Sequence, residues 1–117
     1  MRRAELKRGQ VWWMSHDPAQ GSEPAMTRLS VIVSNPEHNE FMPTVTVCPM
    51  TGSVRRVYDF EVFVLAGKGG VTMDSKVQPQ LVRTISKTRL LEYMGEVSPQ
   101  TLELVDEALQ LHFGFGR

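Results

Sequence analysis

Gly21-Ser22-Glu23-Pro24-Ala25-Met26-Thr27-Arg28 is polar, and it runs straight into the apolar, β-branched Leu29-Ser30-Val31-Ile32-Val33-Ser34-Asn35. The second stretch reads as a strand at 29–34. The first closes a polar loop at 17–28, opened by Asp17-Pro18, where proline removes a ladder donor. Loops of that length are uncommon in compact domains and often functional. The junction sets a carboxylate, Glu23, and a guanidinium, Arg28, side by side at the lip of a sheet.

On the N-terminal side, Gln10-Val11-Trp12-Trp13-Met14-Ser15-His16 is a run of strand formers. Alternation sends Trp12 and Trp13 to opposite faces. On the C-terminal side, residues 35–41 read as a turn or short helix, 44–50 as a strand, and 59–65 as a half-buried strand. Gly67, Gly69 and Gly70 mark a turn. Short strands are expected at 77–85 and 91–97, bridged by Ser86-Lys87-Thr88-Arg89. A helix closes the chain, with Ser98 as N-cap, Pro99 at the first position and Gly114 as stop. Leu102, Val105, Leu109 and Phe113 form its apolar stripe, and Glu103, Asp106, Glu107 and Gln110 fall away from it. This is a mainly β chain with a C-terminal helix: one domain over 1–117, a small, partly closed antiparallel barrel.

The 117 residues are 41% hydrophobic, enough for a single core and too apolar for disorder. No apolar run reaches the ~20 residues of a membrane span, and the basic N-terminus lacks the apolar segment of a secretory signal. The single cysteine, Cys48, lies in a strand pattern and reads as a buried thiol of a cytoplasmic protein. Net charge is zero, but residues 1–89 carry 12 Lys/Arg against 8 Asp/Glu, a net of +4, while residues 90–116 carry five acids and no base. Such a split can give a basic face and an acidic face; the alternative is a solvated acidic helix with scattered surface bases.

Several chemistries are disfavoured. His16, His38 and His112 lack ligand-like spacing, and a lone cysteine makes no zinc ribbon, so neither metal nor cofactor is expected. There is no Gly-x-Ser-x-Gly elbow, and the glycines at 67–70 lack the Lys-Ser/Thr of a phosphate loop. His16, at a strand end, reads as an ordinary exposed or edge residue, with a proton shuttle the alternative. What remains is Glu23, Arg28, Thr51 and the loop Thr51-Gly52-Ser53-Val54-Arg55-Arg56-Val57-Tyr58. Hydroxyls, guanidiniums and an aromatic ring suit single-stranded nucleic acid; the alternative is a plain solvent-exposed hairpin loop, which the loop taken alone favours. RNA carries its own nucleophile, the 2′-hydroxyl. The protein need only move protons and stabilise phosphoryl charge, and a glutamate and a bidentate arginine can do this without metal.

Five segments in one order resemble the MazF/PemK/Kid family of toxin–antitoxin ribonucleases. They are Arg8-Gly9-Gln10-Val11-Trp12, Asp17-Pro18-Ala19-Gln20-Gly21-Ser22-Glu23, Arg28 through Asn35, Cys48-Pro49-Met50-Thr51-Gly52-Ser53, and Arg83-Thr84-Ile85-Ser86-Lys87-Thr88-Arg89-Leu90. The helix segment Val105-Asp106-Glu107-Ala108-Leu109 fits as well. The resemblance implies an SH3-like barrel of the CcdB/PemK type and a homodimer with RNA in a groove at or near its interface. It also implies metal-independent cleavage leaving a 2′,3′-cyclic phosphate and a 5′-hydroxyl, and a cognate antitoxin whose C-terminal segment blocks the groove. By position, the catalytic residues are Arg28, Thr51 and Glu23. The RNA-contacting set is Ser22, Thr27, Ser53, Arg55, Arg56, Gln80 and Arg83.

Three positions depart from the family pattern. Leu29 stands where proline usually follows the arginine, Gln80-Leu81 where Asp-Gln is usual, and Ser22 where one subgroup has a histidine. Altered recognition of target bases is expected. Two rival readings are a CcdB-like poison of DNA gyrase, which would want a tryptophan near the C-terminus, and a catalytically weakened RNA-binding relative.

Overall fold

The computed structural model describes residues 5–16 and 26–116. Among these are seven strands: β1 (Gln10–His16), β2 (Met26–Ile32), β3 (Thr44–Thr51), β4 (Val62–Val64), β5 (Ser75–Val77), β6 (Arg83–Ser86) and β7 (Leu90–Glu96). Two α-helices accompany them, α1 (Pro36–Phe41) and α2 (Pro99–Phe113). The sheet runs β4-β5-β3-β2-β1-β7, each neighbouring pair antiparallel, and β6 also pairs antiparallel with β3. One edge of β3 is therefore shared. Residues 44–47 meet β6 and residues 50–51 meet β5. Splitting the edge between two partners helps the sheet curl into a half-barrel.

Alternation along the strands feeds two apolar clusters. Val11, Val31, Cys48, Met50, Val62, Val64 and Val77 join Val105 of α2 in one. Leu6, Trp12, Met14, Ile32, Val45, Val47, Ile85 and Leu90 form the other. Neighbouring residues such as Val31 and Ile32 fall in different clusters, as a period of two requires.

Several boundaries moved. β2 begins at Met26, inside the expected loop, because pairing with β1 continues through Met14↔Arg28, Ser15↔Thr27 and His16↔Met26. The expected strand at 59–65 contracts to β4, and the one at 77–85 breaks around a 3-10 turn at Pro79–Leu81, since proline cannot donate to a ladder. Lys87–Arg89 form a 3-10 turn capped by the Ser86 side chain.

Helix α2 has the expected caps: Ser98 accepts from the Thr101 amide, and Gly114 is left-handed at φ +75°. Val105 and Ala108 are buried, and Leu102 and Leu109 pack beside them. Phe113 instead stays exposed, lying close to Phe115. Asp106 was expected to face solvent. It takes the Arg8 guanidinium at 2.6 Å, and Arg8 also donates to the Val33 carbonyl, tying the N-terminal segment to both helix and sheet. Among the described residues no helix is long and apolar enough to cross a membrane.

Candidate functional site: the Arg28–Thr51 cavity and its surroundings

The β1–β2 pairing carries Thr27 and Arg28 past the body of the sheet, and β3 ends at Thr51 beside them. Thr27, Arg28 and Thr51 line one cavity of about 310 Å³, with Trp13, Leu29, Met50, Gly52, Thr72, Met73 and Ser75. Among the described residues, Arg28 is the only charged one on that wall. Two of the three residues expected to be catalytic thus share a cleft, although 23 positions separate them. The third, Glu23, and the expected RNA contact Ser22 lie outside the described residues.

Beyond Thr51 the chain turns immediately. The Thr51 hydroxyl accepts from the Ser53 amide at 3.2 Å, so Ser53 follows closely on the cavity. Arg55 and Arg56 are exposed on the next stretch. The Arg56 guanidinium sits 4.5 Å over the Tyr58 ring, and Tyr58 stacks on Phe60 at 5.0 Å with an interplanar angle of 7°. Ser53, Arg55, Arg56, Gln80 and Arg83 are not walls of the Arg28–Thr51 cavity.

A buried ion pair holds this loop. Lys76, opposite Thr51 in the β3–β5 ladder, places Nζ 2.7 Å from Glu61 Oε1 and donates to the Arg56 carbonyl at 2.7 Å. Glu61 also accepts from the Tyr58 amide at 3.1 Å and from Gln80 Nε2 at 2.7 Å. Burial pushes the Glu61 carboxyl up. Hydrogen bonds from Lys76, Gln80, the Tyr58 amide and Gln78 outweigh it and hold the pKa below the ordinary 4.5. Gln80 therefore serves as a donor to this carboxylate.

Arg83 leads to a second polar cluster. His16, expected as an exposed or edge residue, is instead buried, with Nε2 2.9 Å from Ser30 Oγ and Nδ1 3.4 Å from Arg83 Nη1. The sequence reading missed Glu61, Lys76, Ser30 and the role of Trp13. Only the polarity of Glu61 and Lys76 inside apolar strand patterns hinted at paired burial. Cys48 is fully buried, as expected. Among the described residues no three His, Cys, Asp or Glu side chains converge.

The chain resembles known proteins over most of its length. Residues 7–113 match the family described as PemK-like, MazF-like toxin of type II toxin–antitoxin system. The endoribonuclease MazF9 of Mycobacterium tuberculosis (strain ATCC 25618 / H37Rv) is 38% identical over 112 residues, spanning 92% of this chain and 95% of that protein. An endoribonuclease from a mycobacterial species superposes with a TM-score of 0.77 at 26% identity, covering 97% of this chain and 95% of the other. A mycobacterial endoribonuclease in complex with its cognate antitoxin has the same fold, with a TM-score of 0.74 at 23% identity over 98% and 99% of the two chains. The half-barrel of antiparallel strands with its C-terminal helix, and the match along nearly all of its length, place this chain in the PemK-like, MazF-like family of type II toxin–antitoxin toxins.

Proposed function

We propose that this chain, an endoribonuclease of that family, cuts single-stranded RNA at short sequences without a metal ion, and so arrests translation and growth. The reading is carried by one observation: Arg28 and Thr51 line the same cavity at the sheet edge. The substrate's 2′-oxygen forms a bond to the adjacent phosphorus, and the bond from phosphorus to the 5′-oxygen breaks. The products are a 2′,3′-cyclic phosphate and a 5′-hydroxyl. Arg28, charged at any ordinary pH, stabilises the extra negative charge on the phosphoryl oxygens. The Thr51 hydroxyl adds a hydrogen bond there. Glu23 moves a proton, which a guanidinium cannot readily do.

Arg55, Arg56 and Arg83 supply positive charge for flanking phosphates. The partner is a cognate antitoxin whose C-terminal segment occupies the same groove. That a structural neighbour was solved in complex with its cognate antitoxin supports an antitoxin partner. The working unit is a cytoplasmic homodimer.

The test is incubation of the purified protein with an RNA library in EDTA, followed by sequencing of the new ends. Site-specific cuts with 5′-hydroxyl ends are expected. They should vanish when the ribose upstream of the cut is 2′-deoxy. Cleavage of that deoxy substrate overturns the mechanism. Glu23→Gln and Arg28→Lys are then compared across pH. Persistence of the acidic limb of the rate profile in Glu23→Gln removes Glu23 from proton transfer.

A further inference from the structure

The chain's two tryptophans are adjacent and used differently. Trp12 is buried, donates its indole N–H to Gln10 Oε1 at 3.0 Å, and packs edge-on against Tyr93 with centroids 5.8 Å apart. Trp13 is only partly covered and lines the Arg28–Thr51 cavity. Its indole N–H has no hydrogen-bond partner among the described residues. The β1–β7 ladder shifts register between Val11 and Trp12 and again between Trp13 and Met14. Such irregularities re-aim the side chains between them and occur beside functional sites.

The rest of the cavity matches an aromatic occupant. Leu29 lies directly across from Trp13 in the β1–β2 ladder, and Met50 and Met73 add further apolar wall. Met73 is 62% exposed, leaving its thioether free to move over a guest. An added Cβ at residue 52 would stand 3.0 Å from Met73 Sδ, so Gly52 lets that side chain sit close to the loop. Among the described residues the polar wall is neutral hydroxyls plus the Arg28 guanidinium. A flat apolar face, an unused N–H donor and a guanidinium in one cleft suit one nucleotide: base on the indole, phosphate toward the guanidinium.

We infer that Trp13, with Leu29, Met50 and Met73, forms a nucleobase slot that receives a base flanking the scissile phosphate and so helps set the cleavage sequence. The inference rests on the ribonuclease reading and deepens it. Stacking holds the base in ground state and transition state alike, so Trp13 acts mainly on substrate binding.

Wild type, Trp13→Phe and Trp13→Ala are compared on an end-mapped RNA library and on one oligonucleotide bearing the mapped site. Trp13→Ala should raise KM about 5- to 150-fold with kcat changed little, and should relax base preference at one position beside the cut. Trp13→Phe should keep that preference with a smaller rise in KM. An uncleavable version of the oligonucleotide, 2′-deoxy at the cut, should quench the emission of wild type but not of Trp13→Phe, whose remaining fluorophore is buried. This arm needs no activity from the variant and tests the slot even if Trp13→Ala folds poorly. Unchanged KM and unchanged preference in Trp13→Ala overturn the slot while leaving the ribonuclease reading intact. Equal quenching of wild type and Trp13→Phe overturns it likewise. A wild type that cuts no RNA overturns both.

Discussion

His16 Nδ1 lies 3.4 Å from Arg83 Nη1, joining the end of β1 to the start of β6 across 67 residues of chain. A guanidinium only donates, so Nδ1 accepts, and the ring takes the Nε2–H tautomer that donates to Ser30 Oγ at 2.9 Å. The imidazole thereby steers Arg83 and satisfies a fully buried hydroxyl. His16→Phe should cost about 1–3 kcal/mol in urea unfolding, because Ser30 loses its partner. It should also weaken RNA binding through Arg83. A double-mutant cycle checks the coupling. If His16→Phe lowers affinity as much in the Arg83→Ala background as in wild type, His16 does not act through Arg83.

The Glu61–Lys76 pair predicts both a mutational and an acid sensitivity. Its side chains are 2% and 9% exposed. Removing one partner strands a buried charge, so Glu61→Gln should cost about 3–5 kcal/mol at neutral pH. The Glu61 pKa is held below its ordinary 4.5 in the folded chain. Its contribution to stability is therefore fully present above 4.5 and fades as pH falls through the lower, folded value. Wild-type stability should drop on acidification through this window more steeply than that of Glu61→Gln. Parallel pH profiles would contradict the assignment.

Gly70 predicts a backbone-limited position. Its φ is +85°, and a Cβ there would fall 2.3 Å from the Met94 carbonyl oxygen. That oxygen belongs to β7 and cannot yield like a flexible side-chain tip. Gly70→Ala should cost about 2–4 kcal/mol by denaturant melting. Gly67→Ala, with nothing within 4 Å of the added carbon, should cost less, and the reverse order would refute the packing account.

Cys48 should be chemically silent in the folded chain. Burial, and secondarily the Asp106 carboxylate, push its thiol up to about 12 against a smaller opposing pull from Arg8. Thiolate is then scarce at pH 8. An aromatic disulfide reagent should label no thiol in native buffer and one per chain in denaturant, and rapid native labelling would show that the core opens.

Much of the fold was legible because local rules set it. Val31 and Ile32 belong to an apolar run that only a sheet buried on both faces accommodates. Ser98, Pro99 and Gly114 bracket α2 through backbone chemistry confined to a few residues. Strand ends were less legible. Met26 joins β2 because β1 offers it a partner, and no property of Met26 announces this. Arg28 and Thr51 were singled out from residue type and motif resemblance, and the β1–β2–β3 pairing lines one cavity with both.

The amino-acid order alone determined a mainly β chain closed by a capped helix, a buried thiol, and a lip where hydroxyls and guanidiniums gather, since each follows from side-chain polarity and periodicity over short spans. Tertiary structure alone decided that His16 meets Arg83, that Lys76 reaches Glu61 and the Arg56 carbonyl, that Asp106 holds Arg8, and that Trp13 rather than Trp12 faces the cleft. Each of those outcomes depends on which strand edges pair and in what register, and pairing of distant segments is fixed by burial of the whole sheet rather than by any one segment.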